Sequence, residues 1–364
     1  MAPTCHISGN SDMYGLGIRI GFYLQWLSAP IVPLIAPKET SSLQTSHAFF
    51  VSITFLGLVI ETLLKDLDVV EIYIIRPRSP QKDPRQHLNR IPHGINRHPH
   101  PKKKVYVITG ANRGLGLGLV QALLARPQHT VVATVRSSDA QQSLENIIRT
   151  TTKGAGSTLS ILQFDFSTAI PPAQIASTFA SLNIPHIDVL ILSAGGATPM
   201  VPPSQTTAED LRSAYETNTI APLLVFQGLK KYLLRSTSSS LLPKLIWLTS
   251  SVGSIADMDA LGGGAYGPSR AAQNWLARSI HLECNGGGTS RLIVIPLHPG
   301  WVQTRAGQFV VDQWQDALKA VEYEIEQPPI SIEESVGGML RVIDGATAEQ
   351  SGRFLSFEGK SLPW

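Results

Sequence analysis

VYVITGANRGLG, residues 105–116, is the stretch of sequence that decides the fold. Its apolar opening predicts a β-strand buried on both faces, and its glycines predict a tight turn at which a helix begins. Gly110 permits the turn, while Gly114 and Gly116 remove side chains where the backbone would approach a pyrophosphate and the sheet. The start of the helix also offers free N–H groups to phosphates. A plain glycine turn is the alternative, but the strand and helix on either side favour a dinucleotide site.

Short apolar runs and helical stretches alternate along the rest of the chain. The further strands are predicted as TVVATVR at 130–136, LSILQF at 159–164, IDVLILS at 187–193, KLIWLTS at 244–250 and RLIVIPL at 291–297. Helices are predicted over 114–125, 207–234, 264–283 and 331–343. Parallel strands joined by right-handed helical crossovers form one twisted sheet. Residues 105–364 therefore predict an α/β fold with a doubly wound parallel sheet, the Rossmann arrangement, without an internal repeat or a second substrate domain.

The second predicted strand ends in a cation, at a place where an acid would select NAD. Arg136 lies 20 residues after Gly116, and an acid there would bind the adenosine ribose hydroxyls. Arg136 instead offers a fork of donors suited to a 2′-phosphate, which Arg113 in the glycine turn could also reach. Each arginine could alternatively be a solvated surface charge. The pattern favours NADP.

Composition and charge exclude several classes of protein. The 364 residues are 43% hydrophobic and 16% charged, a balance unlike that of disordered chains. The two cysteines, Cys5 and Cys284, are too few for a disulfide framework and form no CxxC pair for zinc. Residues 105–364 carry 18 Lys and Arg against 20 Asp and Glu, which argues against nucleic-acid binding.

The first 75 residues predict a membrane hairpin. GLGIRIGFYLQWLSAPIVPLIA at 15–36 and AFFVSITFLGLVIETLL at 48–64 each carry a single charge, and a helix that spans a bilayer needs about 20 apolar residues. A buried hairpin in a protein core is the alternative. Residues 76–104 hold nine Lys and Arg against one acid, Asp83, so the positive-inside rule places this segment and both termini in the cytosol.

Residues 76–104 are predicted to be a basic, proline-rich, disordered linker. His93, His98 and His100 in this linker suggest a metal, but a segment crowded with cations is a poor place for a divalent ion. No metal site is predicted. The expected localisation is therefore membrane-associated, with the catalytic domain in the cytosol.

Two parts of the chain resemble known families. SGNSDMYGLGIRIGFYLQW is similar to the opening of an uncharacterised family of fungal multi-span membrane proteins, over residues 5–75. That resemblance stops at IYIIRPRSP, so a mis-joined gene is an alternative that would leave a cytoplasmic enzyme. Over 105–364, TGANRGLG resembles the TGxxxGxG turn of short-chain dehydrogenases/reductases. Within that family, ANRGLG, HPGWVQT and FLSFEGKSLPW look most like the fungal norsolorinic acid ketoreductase-like group.

The short-chain resemblance implies a cofactor site that extends beyond the glycine turn. Asp165 would hydrogen-bond the adenine, and Thr304 would meet the nicotinamide carboxamide. Leu192 and Ser193 replace the family's paired asparagines, in a loop that mainly supports the sheet. The cofactor-binding residues predicted in all are Thr109, Gly110, Asn112, Arg113, Gly114, Leu115, Gly116, Arg136, Asp165, Ala194, Gly195, Pro299, Gly300, Val302 and Thr304.

The resemblance also implies a catalytic set for carbonyl reduction: Ser251, Tyr266, Arg270 and Asn218. Tyr266 would donate the proton, Ser251 would bind the carbonyl oxygen, and Asn218 would hold a water of the proton relay. Ser250 and Ser254 are alternatives to Ser251. Arg270 departs from the family, which has lysine there. Arginine supplies charge but releases no proton near neutral pH, so we expect weakened rather than absent activity.

Aromatic residues of the stretch 306–330 would cover an apolar pocket suited to an aromatic or polyketide ketone. The predicted function is NADP-dependent reduction of such a ketone to an alcohol. The alternative is a catalytically impaired dinucleotide-binding protein that acts as a sensor or scaffold. The family resemblance also implies homo-oligomers.

Overall fold

The computed structural model describes residues 103–235, 242–258, 263–286, 290–320 and 325–364. The predicted hairpin over 1–75, and the linker up to residue 102, lie outside the described residues. Within the described ranges, no helix is long and apolar enough to cross a membrane.

The centre of the described chain is one sheet of seven parallel strands in the order β3-β2-β1-β4-β5-β6-β7. The strands are β1 Lys104–Ile108, β2 His129–Val135, β3 Thr158–Gln163, β4 Val189–Leu192, β5 Lys244–Leu248, β6 Ile293–His298 and β7 Leu355–Ser356. The strand order reverses between β1 and β4, which is the switch point at which such sheets bind ligands. The doubly wound parallel sheet predicted from the sequence is therefore confirmed.

Helices cover both faces of this sheet. They are α1 Gly114–Leu124, α2 Ser138–Thr150, α3 Pro172–Ala180, α4 Ala208–Tyr215, α5 Ala221–Leu233, α6 Tyr266–Asn285, α7 Arg305–Ala320 and α8 Ile332–Gly345, with a π-helical segment at Glu216–Ile220 between α4 and α5. One core packs α1, α2 and α8 against one face, and a second packs α3, α5 and α6 against the other.

Strand β5 shows why the central strands are continuous apolar runs. All five of its residues are buried. Ile246 and Leu248 enter the first core, whereas Leu245 and Trp247 enter the second. Because successive side chains of a strand point to opposite faces, a strand covered on both sides has no position for an exposed polar residue.

The structure differs from the sequence prediction in several elements. The single helix predicted over 207–234 is wrong, because the π-helical segment interrupts it and the Ala221 N–H donates to the Glu216 carbonyl five residues back. Helices α2 and α3 were not predicted: α2, for example, buries only Ala140, Leu144 and Ile148, a stripe one residue wide. Strand β7 is two residues long and leaves no periodic signal.

Candidate active site

A cleft opens at the carboxyl ends of the strands and runs from the glycine turn after β1 to α7. The turn itself accepts only small residues at two places. Gly110 has φ +68°, and a Cβ there would lie 2.8 Å from the Ala194 Cα. A Cβ on Gly116 would overlap the Gly110 carbonyl oxygen. The turn therefore presents bare backbone at the N-terminus of α1, which fits the phosphates of a dinucleotide.

Thr109 does not line the cleft, although the sequence placed it among the cofactor-binding residues. It is 2% exposed, and its hydroxyl accepts hydrogen bonds of 2.9 Å from the N–H groups of Ser193 and Ala194. Thr109 thus fixes the loop after β4 against the glycine turn. The structure gives it a supporting position behind the cleft.

The far end of the cleft carries two exposed cations and one acid. Arg113, Arg136 and Asp165 all line it. The Ser167 N–H donates to the Asp165 carboxylate at 3.0 Å, and mainly for this reason the pKa of Asp165 is lowered, with Arg136 adding a smaller effect. Two guanidinium groups with free access to solvent fit the 2′-phosphate that distinguishes NADP from NAD.

The other predicted cofactor-binding residues line the same cleft. They are Gly110, Asn112, Gly114, Leu115, Gly116, Ala194, Gly195, Pro299, Gly300, Val302 and Thr304. The Thr304 hydroxyl accepts a hydrogen bond of 3.0 Å from the Gly307 N–H in the first turn of α7. The residue predicted to meet the nicotinamide is therefore also the one that caps the helix over the pocket.

Tyr266 and Arg270 lie one turn apart at the start of α6, and both line the cleft. The guanidinium carbon of Arg270 is 4.8 Å from the centre of the Tyr266 ring. This is within the range at which a cation is attracted to an aromatic face. The arginine thus places its charge next to the tyrosine, as the family's lysine is expected to do.

Among the three candidate serines, Ser251 has the most available hydroxyl. Ser250 accepts from the Val252 N–H and Ser254 from the Asp257 N–H, and both are buried. Within the described part of the chain, the Ser251 hydroxyl makes no hydrogen bond to protein. Its backbone N–H donates to Nδ1 of His298 at 3.2 Å.

His298, at the end of β6, was not singled out from the sequence. It lines the cleft, and burial lowers its pKa to about 4. The ring is therefore neutral at physiological pH, and Nδ1 stays a hydrogen-bond acceptor for the loop that carries Ser251. Its position directly before Pro299 and Gly300 was a signal that could have found it.

Asn218 is fully buried and does not reach the cleft. Its side-chain oxygen accepts from the Gly196 N–H at 2.8 Å. Its amide nitrogen donates to the Gly196 carbonyl and to the Ser269 hydroxyl, both at 3.1 Å. The structure therefore joins Asn218 to the loop after β4 and to α6, and its predicted contact with a relay water stays a prediction.

The substrate end of the cleft is apolar. Met200, Trp314 and Leu318 form a buried cluster with Tyr266 and Trp301 packed against it. The indole N–H of Trp301 donates to the Gly307 carbonyl at 3.1 Å, and its ring meets Trp314 edge-on. Helix α7 therefore covers the pocket with aromatic side chains, as the sequence predicted for 306–330, although Tyr323 lies outside the described residues.

A glycine turn that presents backbone to phosphates, with a tyrosine and a cation in the same cleft, defines a dinucleotide-binding site of the oxidoreductase type. Comparison with known proteins identifies the family. Residues 104–315 match the model of the short chain dehydrogenase family. The chain therefore belongs to this family of oxidoreductases.

Curated relatives cover the same part of the chain. A short-chain dehydrogenase of Neurospora crassa is 31% identical over 264 residues, which are 71% of this chain and 97% of the relative. A norsolorinic acid ketoreductase of Dothistroma septosporum is 31% identical over 269 residues, which are 72% of this chain and 93% of the relative.

Solved structures agree with the fold. An NADPH-bound carbonyl reductase from chicken fatty liver has 30% sequence identity and a TM-score of 0.58, covering 72% of this chain and all of its own. The carbonyl reductase Sniffer of Drosophila melanogaster has a TM-score of 0.60 with the same coverage, and at 24% identity it shows the fold alone.

Proposed function

We propose that this protein is an NADP-dependent ketoreductase that reduces an aromatic or polyketide-like ketone to an alcohol. One observation carries the proposal: Ser251, Tyr266 and Arg270 line the same cleft as the glycine turn and Arg136. The relatives that are named ketoreductases and the neighbour described as NADPH-bound support it.

The cofactor supplies a hydride to the carbonyl carbon when it is bound. Tyr266 then gives its hydroxyl proton to the carbonyl oxygen, and the Ser251 hydroxyl donates a hydrogen bond to the same oxygen as negative charge develops there. Arg270 lies over the ring of Tyr266, where its positive charge would stabilise the negative charge that develops in the transition state. Arg113 and Arg136, which line the same cleft, would hold the 2′-phosphate of NADP.

The apolar cluster around Trp314 supports an aromatic substrate. Trp301, Trp314 and Met200 offer ring faces and a polarisable thioether, which pack well on flat aromatic molecules. A small polar ketone would leave this surface in contact with water.

The test is to measure the rate at which the full-length protein oxidises NADPH in the presence of each of a panel of aromatic and polyketide-like ketones. We expect turnover with NADPH, much slower turnover with NADH, and loss of at least about 100-fold in Tyr266→Phe, since a positioned proton donor contributes roughly 10²–10⁴-fold. Tyr232→Phe is the matched control, because this tyrosine is buried in the second core and does not line the cleft. Turnover unaffected by Tyr266→Phe would contradict the mechanism.

A second candidate function is a dinucleotide-binding sensor or scaffold with impaired catalysis. Arg270 favours it, because arginine cannot relay a proton as lysine can. NADPH binding without turnover of any ketone would support this candidate. If Arg270→Lys then restored turnover, Arg270 would be the cause of the impaired catalysis.

We also propose, from the sequence alone, that residues 15–64 anchor the protein to a membrane with the catalytic domain in the cytosol. Recovery of the full-length chain in the membrane fraction after alkaline extraction would support the anchor. Recovery in the cytosolic fraction would favour a cytoplasmic enzyme. The resemblance also implies a homo-oligomer. The mass of the purified full-length protein in solution tests this.

A further inference from the structure

Arg270 is held in place by a neighbouring amide. Its Nη1 donates to the side-chain oxygen of Gln273 at 2.7 Å and to the Leu248 carbonyl at 3.2 Å. The Gln273 side-chain nitrogen donates to the same Leu248 carbonyl at 2.8 Å. The arginine, the glutamine and the end of β5 therefore form a closed ring of hydrogen bonds.

Both side chains of this ring are buried: Arg270 is 7% exposed and Gln273 is 1% exposed. They lie three residues apart on α6, on the same face of the helix. A buried guanidinium is stabilised by each donor that finds an acceptor; among the described residues Nη1 of Arg270 has two acceptors, whereas Nε is buried without one. Since Leu248 alone would leave the direction of the side chain open, the second acceptor on Gln273 fixes how the guanidinium lies across the Tyr266 ring.

The chemistry of the acceptor matters as much as its position. Among the described carboxylates, none lies within 4.0 Å of Arg270. A carboxylate in place of the amide would still accept from the guanidinium, but it would lose the donor to the Leu248 carbonyl and would cancel the positive charge beside the tyrosine. The side-chain oxygen of Gln273 accepts the hydrogen bond without carrying a negative charge, so the positive charge of Arg270 beside Tyr266 is not cancelled.

We propose that Gln273 is a positioning residue that acts through Arg270, so that Arg270 and Gln273 together replace the single lysine of the family pattern. The inference rests on the proposed function for its catalytic part. The coupling between the side chains of Arg270 and Gln273 does not depend on the proposed function.

The test is a double-mutant cycle in the full-length protein with Gln273→Met, Arg270→Lys and the double variant. Methionine keeps the length of the side chain and removes both the acceptor for Arg270 and the donor to the Leu248 carbonyl. We expect Gln273→Met to lower kcat about tenfold in the parent but less than about twofold in the Arg270→Lys background, because residues in contact are non-additive. The KM for the ketone should change less than about twofold.

Gln273→Glu separates positioning from charge. Gln273→Glu and Gln273→Met both lose the donor to the Leu248 carbonyl, but only the carboxylate still accepts from Arg270, so we expect Gln273→Glu to unfold no more easily than Gln273→Met in the cofactor-free protein, while its kcat falls at least as far. A merely structural glutamine would give the opposite pattern, with stability and kcat moving together. Ile280→Val on the same helix is the control for general loosening of α6, since it is buried in the second core.

Equal effects of Gln273→Met in both backgrounds, in kcat and in the free energy of unfolding, would overturn the inference. If the parent reduces no ketone, the proposed function fails, and the unfolding cycle in the cofactor-free protein still decides whether the two side chains are coupled. Additive unfolding free energies would then reject the pair as well.

Discussion

Gly195 is a position at which any side chain would meet the guanidinium of Arg270. A Cβ built there would lie 2.7 Å from Nη2 of Arg270 and 3.2 Å from Oδ1 of Asn218. Gly196, the next residue, is open: the nearest atom to a Cβ there would be Cγ2 of Thr217, at 3.9 Å. Neither glycine has a positive φ, so alanine fits the backbone conformation at both positions. The two positions differ only in the space that is available for its Cβ.

Gly195→Ala should therefore displace the guanidinium of Arg270 rather than unfold the protein, because the obstructing atom is Nη2, which none of the described residues holds by a hydrogen bond. We expect kcat/KM for the best ketone to fall at least about tenfold, as expected when a catalytic group moves by about an ångström. Gly196→Ala should change it less than about twofold. Steady-state kinetics of the two variants make the measurement, and equal losses would show that Arg270 is not the affected group.

The π-helical segment is hydrogen-bonded to two other parts of the fold, the loop after β4 and helix α6. Its extra residue turns Asn218 and Thr219 inward, and both are buried. Asn218 bonds the backbone of Gly196 after β4 and the hydroxyl of Ser269 on α6. Thr219 donates to the Ser269 carbonyl at 2.9 Å. A regular helix over these residues would send one of the two side chains elsewhere.

Asn218→Leu should destabilise the protein more than Thr219→Val does. The first change leaves both backbone groups of Gly196 without their side-chain partners, at a cost of about 3 kcal/mol, whereas the second removes one hydrogen bond at about 1 kcal/mol. Denaturant unfolding of the cofactor-free protein measures the difference. A larger loss in Thr219→Val would mean that the amide of Asn218 is not what joins the loop to α6.

The elements that could be predicted are those whose sequence signal is local. Strand β1 and the glycine turn follow from an apolar run and from the space that Gly110 and Gly116 must leave empty. The π-helical segment could not be predicted, because it depends on partners more than twenty residues away, such as Gly196.

The same distinction applies to the site. Tyr266 and Arg270 stand one helical turn apart, so their meeting was predictable. The bond that Gln273 and Arg270 share with the Leu248 carbonyl was not, because strand β5 and helix α6 meet only in the folded chain. Thr109 likewise looked like a cofactor residue until the fold gave its hydroxyl two backbone donors.

The stability of the whole molecule should depend on pH through His298. Burial lowers the pKa of this histidine to about 4, whereas an unfolded chain titrates near the ordinary histidine value of about 6.5. Between these two pH values the unfolded chain binds a proton that the folded protein does not. The free energy of unfolding therefore falls as the pH falls through this window, and the contribution of His298 is fully present only above it.

His298→Asn removes the titrating group and keeps an oxygen that can accept the hydrogen bond from the Ser251 N–H. Between pH 7 and pH 4.5 we expect the parent to lose about 2 kcal/mol more unfolding free energy than the variant, a figure that follows from about 1.4 kcal/mol per pKa unit. Urea unfolding of both proteins at the two pH values gives this difference. Other histidines and carboxylates titrate in both proteins and cancel in the comparison. Parallel losses in parent and variant would show that His298 takes up its proton in the folded protein as readily as in the unfolded chain, and a ring charged at pH 4.5 could not accept the hydrogen bond from the Ser251 N–H there.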